Sequence, residues 1–264
     1  MRRVGAALLC GGVVLAASLL LARVHPFGDA GLYAAQGSKT PILNHGQVPE
    51  AVRVVLLKKC ADCHSDQAHA PFYGHFAPAS WLMERDIEKA RAAMNLSAWD
   101  GHTSVQQQTL AAKIVQETKS RKMPPVQYRM IHWNARITDA DVKEFGRWAH
   151  SAQGAEAGSE TTGEGDPARG KALFEKRCTG CHALAQNHEG PHLQGVYGRI
   201  SGTVAGFAYS AALKKAGIVW DQKSLERWLT DPDAFIPGND MDFLVSKTQE
   251  RLDLISYLKQ SSGK

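Results

Sequence analysis

Strand-like alternation is what this chain of 264 residues most lacks. No segment alternates apolar and polar side chains clearly enough for a sheet, so a sheet-based core is not expected. Basic runs are missing too. Lys and Arg number 31 against 26 Asp and Glu, and no run of them exceeds two residues, a balance that argues against a nucleic-acid partner. With 44% hydrophobic and 22% charged residues, the composition fits neither a disordered chain nor a multi-span membrane protein. Cysteine is scarce, five residues in all, and an odd number cannot all pair. Four of the five fall in two C-x-x-C-H strings, which turns the question from disulfides to metal cofactors.

Arg2 and Arg3 precede a nearly charge-free run from Val4 to Ala22, closed by Arg23 and Pro26. This reads as an export signal. Its apolar stretch exceeds the roughly 7–15 residues of a signal-peptide core, so residues 1–30 are expected to stay as an uncleaved anchor in the bacterial inner membrane. The alternative is a periplasmic protein released by cleavage. In either case the positive-inside rule puts the remainder on the periplasmic side. Residues 151–165, SAQGAEAGSETTGEG, carry no aromatic or branched aliphatic side chain and read as a flexible linker. It separates residues 31–150 from 166–264. Each part holds one C-x-x-C-H string, and the two look otherwise unalike.

What is readable is helical. Pro49 opens a run with Val52, Val55 and Leu56 on one face, leading into Cys60. Others start at Ser80, behind a Thr103 cap, and at a capping box from Thr138 to Asp141. Asp166-Pro167 is a cap followed by proline at the first helical position, and Leu252, Ile255 and Leu258 give a terminal helix its face. The expected fold class is all-α: two small c-type cytochrome domains behind an N-terminal apolar helix.

Cys60-Ala61-Asp62-Cys63-His64 and Cys178-Thr179-Gly180-Cys181-His182 each place two thiols about one helical turn apart, with an imidazole after the second. That pattern fits covalently bound haem c. Each thiol adds across one vinyl group, and His64 and His182 become the proximal iron ligands. A zinc site would require two further Cys or His ligands at short spacing, and none is visible. Two covalently bound haem c groups are therefore expected. For the second iron, Met241 follows a Pro237-Gly238 turn and is flanked by Asp240 and Asp242, surroundings awkward for a core methionine and natural for a loop carrying a ligand.

From Asp166 to Gln260 the chain resembles class I cytochrome c, particularly its mitochondrial-type and bacterial c2 members. Gly170 and Phe174 with Leu252 and Tyr257, then Gly190-Pro191-His192-Leu193, Gly198-Arg199, Tyr209-Ser210, Trp220 and the Met241 loop follow the family's order. The resemblance implies crossed terminal helices, a Pro191 carbonyl that accepts the proton of the His182 imidazole, and Arg199, Tyr209 and Trp220 around the haem propionates. Residues 25–150 resemble a bacterial haem-binding domain family often found behind a membrane anchor, on the string Cys60 to His64, Ala77 to Leu82, Met94 to Trp99 and Lys122-Met123-Pro124-Pro125. Here Met123 is the first choice for distal ligand, because two prolines fix the backbone behind it. His132 is second. Trp81, Trp99 and Phe145 read as core aromatics.

The function expected is that of an exported dihaem cytochrome passing single electrons between redox protein partners. The alternatives are a dihaem peroxidase-like enzyme, or a haem-based sensor with an exchangeable ligand at the first iron. The acidic stretches Asp231 to Ala234 and Asp240 to Asp242 invert the lysine-rich edge of mitochondrial-type cytochromes. They are expected to dock on Arg121-Lys122 of the preceding domain.

Overall fold

The computed structural model describes residues 2–33, 43, 48–154 and 163–263. Most of the expected linker, residues 155–162, lies outside them. The contacts divide the chain into two compact units, Met1–Gly101 and His102–Lys264. Among the described residues no β-strand forms; a single bridge joins Ile200 and Val219.

The first unit holds α1 (Arg2–Leu21), α2 (Glu50–Lys59), α3 (Ala61–His64) and α4 (Ala79–Ala93). Among the described residues no helix is long and apolar enough to cross a membrane. The described helices thus lend no support to the anchor expected of residues 1–30. Helix α2 starts after Pro49 and buries Val52 and Leu56, as its pattern requires. Helix α4 buries Ser80, Glu84 and Ile87 on one face. Glu84 has no exposed surface, and one of its carboxylate oxygens lies 2.9 Å from His25 Nδ1. Trp99 is in the core, but Trp81 is only half-buried, and its indole N–H donates to the Val24 carbonyl at 2.7 Å.

The second unit begins with α5 (Ser104–Lys119), α6 (Val126–Ile131) and α7 (Asp139–Gly154). Thr103 caps α5 in a reciprocal box with Gln106, so the helix starts where its cap predicts. Phe145 of α7 is fully buried. Five helices follow: α8 (Pro167–Arg177), α9 (Ala211–Ala216), α10 (Gln222–Thr230), α11 (Pro232–Phe235) and α12 (Thr248–Ser261). Asp166 caps α8 by accepting from the N–H groups of Ala168 and Arg169. Helices α8 and α12 cross at Gly170, where an added Cβ would lie 2.0 Å from the Asp253 carbonyl oxygen. The Phe174 and Tyr257 rings then meet at 5.5 Å, inside a core that includes Trp220, Trp228, Leu254 and Ile255. The glycine and both aromatic positions of the expected crossing are thus in contact.

Candidate haem sites

Both C-x-x-C-H strings fold the same way at the backbone. In the first, the N–H groups of Cys63 and His64 both donate to the Cys60 carbonyl, at 3.2 and 2.9 Å. In the second, those of Cys181 and His182 donate to the Cys178 carbonyl at 3.1 and 2.8 Å. Each string starts where a helix ends, α2 at Cys60 and α8 at Cys178, so one turn brings both thiols and the imidazole together. All four cysteines are free thiols. Burial pushes Cys178 up to about 12 and Cys181 and Cys63 each up to about 11, so they are held as neutral thiols.

The two imidazoles share one further feature. His182 Nδ1 lies 2.8 Å from the Pro191 carbonyl, and His64 Nδ1 lies 3.0 Å from the Met94 carbonyl at the C-terminal end of α4. A carbonyl oxygen only accepts, so Nδ1 carries the proton in each ring and the lone pair sits on Nε2. Burial lowers the pKa of both rings and keeps them neutral, as a metal-ligating imidazole must be. A Cβ on Gly190 would fall 2.2 to 2.8 Å from three atoms of the His182 ring, so only glycine lets this loop pass.

A cavity of about 410 Å³ in the second unit is lined by Cys178, Cys181, His182, Pro191 and Met241. Arg199, Tyr209 and Trp220 line it as well. Burial shifts Arg199 down and Tyr209 up from their ordinary values, which marks the low polarity of this wall. The cavity, its paired thiols and its neutral imidazole fit a covalently attached haem. Cys178 and Cys181 would attach it, and His182 and Met241 would hold the iron. In the first unit Cys63 packs beside Ala30, Ala68, Ile87 and Met83, an apolar setting with the same donor chemistry. Among the described residues no three His, Cys, Asp or Glu side chains converge as a metal ion would need.

Two positioning groups were not legible in the sequence. Asn239 is fully buried; its Oδ1 accepts the Met241 N–H at 2.7 Å, and its amide N–H groups donate to Asp233 and to the Ile236 carbonyl. The Trp228 indole N–H points at the Met241 sulfur at 3.1 Å. The Pro-Gly turn hinted at the first, and nothing hinted at the second.

Met123 and His132 belong to the second unit, whereas Cys60 to His64 belong to the first. Met123 is 38% exposed, and the His132 ring stacks on Tyr128 with centroids 4.1 Å apart. The acidic stretches meet basic side chains, though not the expected ones. Lys119 binds Asp233 at 2.8 Å and His150 lies 3.4 Å from Asp242, whereas Arg121 faces Asp139 and Lys122 faces Glu117. Arg121 and Lys122 follow the end of α5 and fall near acidic groups of their own segment.

A haem-binding domain model matches residues 26–151, and a cytochrome c model matches residues 167–262. Cytochrome c of Chlamydomonas reinhardtii is 45% identical over 103 residues, 38% of this chain and 92% of that protein. That of Euglena viridis is 49% identical over 98 residues, 36% of this chain and 96% of its own length. Among solved structures, cytochrome cH from Methylobacterium extorquens is 43% identical and covers 36% of this chain and 99% of its own, with a TM-score of 0.35.

Proposed function

Because the chain belongs to the cytochrome c family through its residues 167–262, we propose that it is an exported dihaem c-type cytochrome that carries single electrons between redox protein partners. The observation that carries the dihaem reading is the repeated local geometry. Two C-x-x-C-H turns with matching backbone hydrogen bonds each aim Nδ1–H of the histidine at a carbonyl and leave Nε2 for iron. When bound, haem c supplies an iron that exchanges one electron between its ferric and ferrous states. The protein supplies the rest. Cys60, Cys63, Cys178 and Cys181 would attach the two haems, His64 and His182 would ligate their irons, and Met241 would be the second protein ligand of the iron held by His182. A thioether favours the ferrous state relative to a second imidazole, so the second site has the character of a high-potential carrier. Arg199, Tyr209 and Trp220 are proposed to receive the propionates, since an arginine and a phenol on a mostly apolar wall are donors suited to carboxylates. For the first iron Met123 remains the proposed sixth ligand and His132 the runner-up; the absorption spectra of Met123→Ala and His132→Ala name it. Export is supported by the charged start and apolar run at the N terminus. Neither the peroxidase-like nor the sensor alternative gains support from either unit.

The reading is tested by electron stoichiometry. A spectroscopic redox titration of the intact chain takes up two electrons, and the pairs Cys60→Ala/Cys63→Ala and Cys178→Ala/Cys181→Ala each take up one. A pair that leaves the titration unchanged shows that its string holds no haem.

A further inference from the structure

Helix α5 comes from the segment matched by the haem-binding domain model, yet it forms part of the wall of the cytochrome c cavity. Thr109, Ala112 and Gln116 line that cavity together with Cys178, Cys181 and Met241. The approach is close. A Cβ on Gly180, between the two thiols, would sit 2.6 Å from Thr109 Cγ2. Two lysines six positions apart, about 9 Å along the helix axis, tie α5 to the loops that bear the two proposed iron ligands. Lys113 Nζ lies 2.8 Å from Glu189, next to Gly190-Pro191 and so on the His182 side. Lys119 Nζ donates to both carboxylate oxygens of Asp233, at 2.8 and 2.9 Å; Asp233 also accepts from Asn239 on the Met241 side. Gln116 adds a hydrogen bond to the Glu189 carbonyl at 3.1 Å. From α7, His150 reaches Asp242 at 3.4 Å. One like charge opposes the contact: Glu117 stands between Lys113 and Lys122 and is repelled by Glu189.

The rim under α5 is therefore acidic, and α5 meets it with lysines. That is the charge pattern by which a basic protein partner would recognise the same rim. The lysines that hold the helix are only about four-fifths buried, so the tie is electrostatic, in contact with solvent and open to competition. Meanwhile α5 keeps its own cap at Thr103 and its own bond to α7, from the Gln108 amide to the Ala152 carbonyl, so leaving the rim need not unfold it.

We infer that α5 is a built-in removable cover on the cytochrome c cavity, occupying the acidic rim on which a lysine-rich redox protein docks once the helix lifts. The inference rests on the carrier reading for what the rim does, but not for whether the cover exists. The experiment uses the full haem-loaded chain and the variant Lys113→Glu/Lys119→Glu. Hydrogen–deuterium exchange is read over residues 104–119 and 178–182, and electron transfer is timed at low ionic strength with a lysine-rich mitochondrial cytochrome c as the basic probe. Both exchange and the bimolecular rate constant rise at least tenfold in the variant. Adding Glu189→Lys/Asp233→Lys restores protection, which separates release of the cover from misfolding, and abolishes the rate gain. Unchanged exchange overturns the cover. Faster exchange with an unchanged rate overturns the docking rim, whereas a chain that passes no electrons to any reagent overturns the carrier reading and leaves the exchange result standing.

Discussion

The crossing of α8 and α12 makes the sharpest demand on a single residue. In Gly170→Ala the new Cβ would sit 2.0 Å from the Asp253 carbonyl oxygen, 2.6 Å from its carbon and 2.8 Å from Tyr257 Cβ. Two of these atoms are helix backbone and cannot rotate aside. An ordinary carbon–oxygen contact is about 3.3 Å or more, so the helices must part by roughly 1 Å. A gap of that size forfeits a quarter to a half of the dispersion energy of each facing contact, including Phe174 on Tyr257, and overpacking itself costs about 1–3 kcal/mol. Alanine returns about 1 kcal/mol of helix propensity. The net loss is about 3 kcal/mol, which for a unit of this size lowers Tm by about 6–12 °C. Gly217→Ala is the control. Gly217 ends α9 at φ 61° with nothing within 4 Å of an added Cβ, so only backbone strain is charged, about 1 kcal/mol. Scanning calorimetry of the intact chain should show one transition shifted slightly by Gly217→Ala and several times further by Gly170→Ala. A Gly170→Ala shift no larger than the control would refute the close crossing.

Asn239→Ala removes the acceptor of the Met241 N–H and the side-chain donor to the Ile236 carbonyl, which keeps only the backbone N–H of residue 239. Added imidazole should then displace the sulfur about tenfold more readily, read as loss of the methionine-to-iron charge-transfer band, and unchanged imidazole affinity rules out a positioning role. Asp253 gives a pH signature. Burial opposes its ionisation, but the Arg169 guanidinium, the Asp166 N–H and the Gln249 amide together hold its carboxyl below the usual range. A depressed folded pKa stabilises above the unfolded value and is lost as pH falls through the folded one. The Tm difference between wild type and Asp253→Asn should stay constant from about pH 5 upward and shrink below about pH 4; a difference that persists at low pH contradicts the pairing.

Much of the chemistry was legible because it is local. A C-x-x-C-H string fixes its own geometry within one turn, since Cys178 O binds the N–H groups of Cys181 and His182 only three and four residues on. Caps behave likewise: Thr103 and Asp166 start their helices through side chains that reach two or three residues. The glycine of the terminal crossing was readable only through a family resemblance, because the Asp253 carbonyl that excludes a Cβ lies more than 80 residues away.

What the tertiary structure alone decided are the contacts whose partners share no pattern in sequence. Asn239 is a buried anchor for Met241 because the chain folds back around it; as a letter it is an ordinary turn residue. The run from Val4 to Ala22 forms a helix as far as Leu21, as its apolar composition predicts. Above all, the contacts group helix α5, which precedes the linker, with the residues that follow it. Within the second unit the lysines of α5 meet Glu189 and Asp233, the latter 114 residues from Lys119. Charge run by charge run, Arg121-Lys122 was the better bet to meet that acidic rim. The fold selected Lys113 and Lys119, which stand on the helix about 9 Å apart along its axis and reach two separate acidic groups, whereas Arg121 and Lys122 come after the helix has ended.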